Sequence, residues 1–110
     1  MKKLVIALVS VLVAGFIPTL ALADGDAAAG QAKSALCGSC HGADGNSPLA
    51  MNPKLAGQNA SYLVKQLQDF KAGNRPGQTM AAMVLALSDQ DMEDIAAFYA
   101  SQDATLGGAD

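Results

Sequence analysis

Cys37 and Cys40 stand three positions apart, and His41 follows the second directly. That spacing matches the attachment signature of a c-type haem. Each thiol can form a thioether to one haem vinyl group, and the histidine that follows is then placed to give the iron its proximal nitrogen. Two rival chemistries are weaker. A Cys37–Cys40 disulfide would close a very small loop, and a thioredoxin-like pair normally sits where a strand meets a helix, whereas Ala27 to Leu36 reads as helix. A closed structural zinc site wants four ligands, and the chain has two cysteines and a single histidine.

An iron held by one histidine needs a sixth ligand, and a methionine thioether is the usual partner in electron-carrying c-type haems, where it raises the reduction potential. Past residue 23 the methionines are Met51, Met80, Met83 and Met92. Met51 lies two residues before Pro53, in the loop that should wrap the histidine side. Met92 falls on the apolar stripe of the last helix, where methionine is ordinary core filler. Met80 and Met83 both follow a loop, Arg75 to Thr79, that can cross to the far face of the ring, and the residues themselves leave the choice between them open.

The elements that would position these groups are helical. Ala27 to Leu36 carries Ala28, Ala32, Ala35 and Leu36 on one stripe, which predicts a helix packed on that face. Gly30 weakens that helix by roughly 1 kcal/mol relative to alanine, unless the missing side chain admits a second helix. Gly42 to Pro48 is dense in turn formers, so the chain must loop immediately after His41 and reaches Pro53 twelve residues on. A ligating histidine usually donates its other ring N–H to a carbonyl that fixes its orientation. Gln58 to Phe70 predicts a second helix, with Leu63, Leu67 and Phe70 at helical spacing and Asn59 or Ser61 near its start. Ala72 to Gly77 breaks it; Arg75 there could pair with a haem propionate or be a solvated loop residue. Ser88 reads as the N-cap of the last helix, with Asp89, Asp91, Glu93 and Asp94 suited to its positive end and Met92, Ile95, Ala96 and Tyr99, with Phe98 beside them, marking its buried stripe.

The N-terminus stands apart. Met1-Lys2-Lys3, the apolar run Leu4 to Phe16 and the small-residue site Ala21-Leu22-Ala23 make the three-part pattern of a secretory signal peptide. Pro18 interrupts the run and acidic Asp24 and Asp26 follow it, which argues against an uncleaved spanning helix. Residues 1–23 are thus expected to be a cleaved signal, residues 24–102 one haem domain, and residues 103–110 a flexible tail. The 87 residues left by cleavage make a domain that is marginal without help, and a haem would supply the missing apolar mass. Without Lys2 and Lys3, five basic residues face ten acidic ones, a net charge of -5. Nothing in that balance resembles a basic footprint for nucleic acid.

Four segments together resemble the class I c-type cytochromes: Cys37-Gly38-Ser39-Cys40-His41-Gly42, Pro53-Lys54-Leu55-Ala56-Gly57-Gln58, Tyr62-Leu63-Val64-Lys65-Gln66-Leu67 and Leu87-Ser88-Asp89-Gln90-Asp91. The likeness is to the small cytochrome c-553 proteins and to one half of the dihaem cytochrome c4 family. It implies an all-α fold with crossed N- and C-terminal helices packed around one covalently attached haem c. It also implies that the Pro53 carbonyl accepts the N–H of His41, that Leu55 packs on the haem, and that the distal iron ligand lies eight residues before Ser88. That register selects Met80, with Met83 second.

The implied function is a periplasmic one-electron carrier, not an enzyme, exchanging electrons with redox protein donors and acceptors such as respiratory-chain complexes or a terminal oxidase. No stable membrane anchor would remain after signal cleavage. A small haem enzyme or gas sensor would need a displaceable sixth ligand, and a dedicated electron-transfer subunit of one partner enzyme would use the same haem chemistry. No nucleophile triad or phosphate-binding glycine loop offers a competing mechanism.

Overall fold

A computed structural model of the chain describes residues 25–107, together with Ser10, Ala14 and Gly15. The expected signal segment, residues 1–23, otherwise lies outside the described residues, as do the last three residues of the expected tail. The described chain is all-helical: α1 (Ala27–Lys33), α2 (Ala35–His41), α3 (Ala60–Ala72), α4 (Gln78–Val84) and α5 (Asp89–Ala100). None of these helices is long and apolar enough to cross a membrane.

Each long helix starts on a side-chain cap. Asn59 Oδ1 accepts from the Tyr62 N–H at 3.1 Å and opens α3. Ser88 opens α5 through a reciprocal box: its hydroxyl accepts from Asp91 N–H, and the Asp91 carboxylate accepts from Ser88 N–H. Asp26 caps α1 by accepting from Ala28 and Ala29 N–H. Gly73, at φ 78°, ends α3 in the left-handed conformation that costs other residues most.

The N-terminal helical stretch differs from expectation in two ways. It is divided at Ser34, whose hydroxyl donates to the Gln31 carbonyl instead of facing solvent, so α1 and α2 are separate short helices. Its packed face is also another one: Ala28, Ala32, Ala35 and Leu36 are exposed, while Gly30 and Ser34 are buried and Cys37 is half-buried. The reason is the closeness of α5. A Cβ on Gly30 would lie 1.9 Å from the Asp94 carbonyl oxygen and 2.9 Å from Phe98 Cβ, so only a residue without a side chain allows the two helices to cross there. Gly25, just before α1, is held as tightly against the Glu93 backbone.

Beside this crossing, Lys33 Nζ reaches Asp94 at 2.6 Å and Asp91 at 2.9 Å, and Asp94 also accepts from Asp26 N–H and the Gln90 side chain. Asp94 is only 3% exposed, and the Lys33 ammonium, followed by the Asp26 amide and Gln90, lowers its carboxyl to about 2. A buried carboxylate with this many donors is compensated, and removing one partner would leave a charge stranded. On the other side of α5, Leu63 and Val64 of α3 pack with Ile95, Ala96, Phe98 and Tyr99, and Cys37, Leu55, Ala60 and Leu87 close over that cluster. The expected apolar stripe of α5 is therefore the core, and Met92 is fully buried in it.

Candidate functional site

Helix α2 brings Cys37, Cys40 and His41 onto neighbouring positions of one surface, because residues three and four apart in a helix are adjacent. Both cysteines are free thiols. Burial pushes the Cys37 thiol up from its ordinary value, the reverse of the shift that makes a dithiol redox catalyst reactive.

Gly42 ends α2 at φ 84°, and the chain doubles back. At the base of the loop the Gly45 carbonyl accepts from both Leu55 and Ala56 N–H, at 2.8 and 3.1 Å, which joins its two limbs. Two further side chains pin it to the end of α2: Asn52 Nδ2 donates to the Cys40 carbonyl at 3.0 Å, and the fully buried Ser47 hydroxyl lies 3.4 Å from the same carbonyl while donating within the loop to the Leu49 carbonyl at 2.8 Å. The outcome is that the Pro53 carbonyl oxygen lies 2.8 Å from His41 Nδ1. A carbonyl can only accept, so Nδ1 carries the proton and the lone pair of the neutral ring is on Nε2, free for a metal. His41 is 7% exposed, so its ring is held by packing as well as by that bond.

The residues singled out from sequence fall into three groups. Cys37, Cys40, His41 and Pro53 are brought together as described. Leu55, two residues after Pro53, is half-buried against the core cluster. Met80 is half-buried in the first turn of α4 and Met83 is 42% exposed one turn later, whereas Met51 is 84% exposed beside Asn52. Among the described residues, no hydrogen bond or ion pair joins α4 to α2. Arg75 is an exposed residue of the loop after α3, and its guanidinium stacks 4.5 Å above the Phe70 ring and donates to Gln66 Oε1 at 2.7 Å.

The site fits a covalently held haem. It offers two unpaired thiols at the right spacing and one imidazole with a fixed tautomer and an available Nε2. Among the described residues no three His, Cys, Asp or Glu side chains gather to make a competing metal site. Large apolar side chains are exposed next to these groups in the chain: Leu36 before Cys37, Leu49 and Met51 in the returning loop, Met83 and Leu85 beside Met80. In a small domain such uncovered apolar surface marks a place where another apolar body belongs.

Sequence reasoning passed over Ser47 and Asn52, the two residues that fasten the loop to α2. Their signal was only their position between a turn and a proline, which many loops share.

Comparison with known proteins agrees with this chemistry. Residues 27–103 match the family Cytochrome c. The chain is 56% identical over 103 residues to cytochrome c4 of Pseudomonas aeruginosa, covering 94% of this chain and 51% of that protein. It is 44% identical to cytochrome c-554(548) of Halomonas halodenitrificans, covering 72% of this chain and 99% of the relative. The crystal structure of reduced recombinant cytochrome c4 from Pseudomonas stutzeri superposes with a TM-score of 0.68 at 56% identity, over 78% of this chain and 50% of that one. The chain thus spans about half the length of the cytochrome c4 relatives it matches. Its cofactor is haem c, and Cys37, Cys40 and His41 fit the Cys-x-x-Cys-His motif of its attachment. The chain belongs to the cytochrome c family.

Proposed function

We propose that this chain is a one-electron carrier with histidine and methionine on the two faces of its iron. The observation that carries the reading is the 2.8 Å contact between His41 Nδ1 and the Pro53 carbonyl, because it leaves a single oriented Nε2 on a ring tethered beside two free thiols. A bound haem supplies the one-electron iron couple. The polypeptide's tasks are to hold His41 in one tautomer, to present Met80 to the opposite face, and to bury His41 against water while the ring edge remains accessible. Met80 is supported over Met83 by its greater burial at the start of α4 and by its register eight residues before Ser88. Ligation of the iron by both His41 and Met80 would leave no site on it for a substrate, which favours a carrier over an enzyme or gas sensor.

Residues 1–23 serve as an export signal cleaved after Ala23, which puts the carrier in the periplasm. Its partners are redox proteins that give and take single electrons, docking near the haem edge.

Intact mass and visible spectroscopy of the exported protein test this. The expected result is one covalent haem on a chain beginning at Asp24, a one-electron redox titration, and a sulfur-to-iron absorption band in the oxidised state. That band should disappear in Met80→Ala and persist in Met83→Ala. Rapid, tight binding of carbon monoxide to the reduced wild-type protein would sink the six-coordinate carrier.

A further inference from the structure

The segment that carries Met80 runs from Arg75 to Leu87 and is slung beneath α3. At its start, Asn74 and Arg75 N–H both donate to the Asp69 carbonyl, at 2.8 and 3.2 Å. The Arg75 side chain then folds back so that its guanidinium covers the Phe70 ring, and its Nη1 donates to Gln66 one turn earlier. Gly77 meets the same ring: a Cβ there would lie 2.9 Å from Phe70 Cε1. The Gly77 carbonyl accepts from Ala81 N–H at 2.9 Å, which begins the first turn of α4 and so fixes the backbone around Met80. At the other end Lys71 Nζ donates to the Leu87 carbonyl, and between the two ties Val84 is buried.

We infer that Arg75 is a positioning residue for the distal ligand. By covering the Phe70 ring against which Gly77 also packs, it sets where α4 starts and keeps the Met80 thioether from leaving the iron. The inference rests on the reading of Met80 as that ligand. Arginine suits the task because one planar group can stack on an aromatic face and still donate in its own plane to Gln66. It also accounts for an exposed arginine that contacts no carboxylate among the described residues.

The experiment is imidazole binding to the oxidised holoprotein, read with the sulfur-to-iron band and the reduction potential. An exposed cation–π contact is modest, so Arg75→Ala should tighten imidazole binding about threefold, weaken the band and lower the potential. Arg75→Lys, which keeps the charge but loses the planar fork, should restore only part of the effect. Lys65→Ala, which removes a surface cation of α3, should bind imidazole as the wild type does. Unchanged imidazole affinity in Arg75→Ala would overturn the inference. So would an equal rise in Asp94→Asn, a variant weakened at the distant α1–α5 crossing, because the effect would then be general loosening. Met80→Ala separates the two readings: if it keeps the band, the ligand assignment fails and the positioning role with it. If it loses the band while Arg75→Ala binds imidazole normally, only the positioning role fails.

Discussion

The two segments that carry the proposed iron ligands are built by opposite means. From Cys37 to Pro53 the histidine side is internal: His41, Asn46 and Ser47 are buried, and the loop is closed on itself by the Gly45 carbonyl and on α2 by Asn52. From Arg75 to Leu87 the methionine side is external, hung on α3 by two exposed cations, with Val84 its one buried residue. The fold itself therefore orients His41, while the position of Met80 depends on contacts that water can replace. The difference would suit the proposed ligand pair, in which nitrogen stays and sulfur is the bond at risk.

The histidine side also leans on the α1–α5 crossing, since α2 continues directly from α1. Breaking that crossing should give the largest effect. Gly30→Val must push Asp94 and Phe98 away from α1, and overpacking of this kind costs about 1–3 kcal/mol, more where the obstacle is backbone. Thermal unfolding of the holoprotein should show it as a drop of many degrees, exceeding that of any single change in the Arg75–Leu87 segment. A wild-type melting curve from Gly30→Val would mean that the crossing is looser than the geometry requires.

Acid provides a second, graded way to loosen the same side. Asp94 and Asp91 each ionise at about 2, below the usual carboxylate value near 4, mainly because Lys33 hydrogen-bonds to both. Groups with depressed folded-state values contribute stability that is complete above about pH 4 and is lost as pH falls through about 2. Lys33 is raised above 10.5, so its own contribution is complete below that value and is lost only in strong alkali. Melting temperature followed from pH 6 to pH 2 should therefore fall in that acid window, and Asp94→Asn should start lower at neutral pH and lose less. Parallel curves for the two proteins would show that the ion cluster adds nothing.

How much of this was legible beforehand depended on whether a residue's partner is local. Ser88 and Asn59 cap their helices as their types and positions suggest, because a cap needs only the next three residues. Pro53 and His41 meet as the family resemblance implies. The packed face of α1 was misread because a run of alanines looks alike on every side; the informative residues were Gly30 and Ser34, whose smallness acquires meaning only once α5 is laid against them. The Arg75 stack was hidden for the same reason, since it depends on the chain turning after Gly73 by an amount that side-chain type does not specify.

The smallest expected effect tests whether the histidine side is as redundant as it looks. Asn52→Ala removes the 3.0 Å bond from its side chain to the Cys40 carbonyl, a loss of about 1 kcal/mol for an ordinary hydrogen bond. The Ser47 hydroxyl lies 3.4 Å from the same carbonyl and can take up part of that role, and Asn52 is half-exposed, so water can replace the rest. Stability should fall by less than Gly30→Val causes, and imidazole affinity should stay at the wild-type value, because neither the His41–Pro53 bond nor the Met80 segment is touched. Should Asn52→Ala bind imidazole more tightly than Arg75→Ala does, the order is reversed: the loop around the histidine, not the sling under α3, would be the part that governs how firmly the iron keeps its sixth ligand.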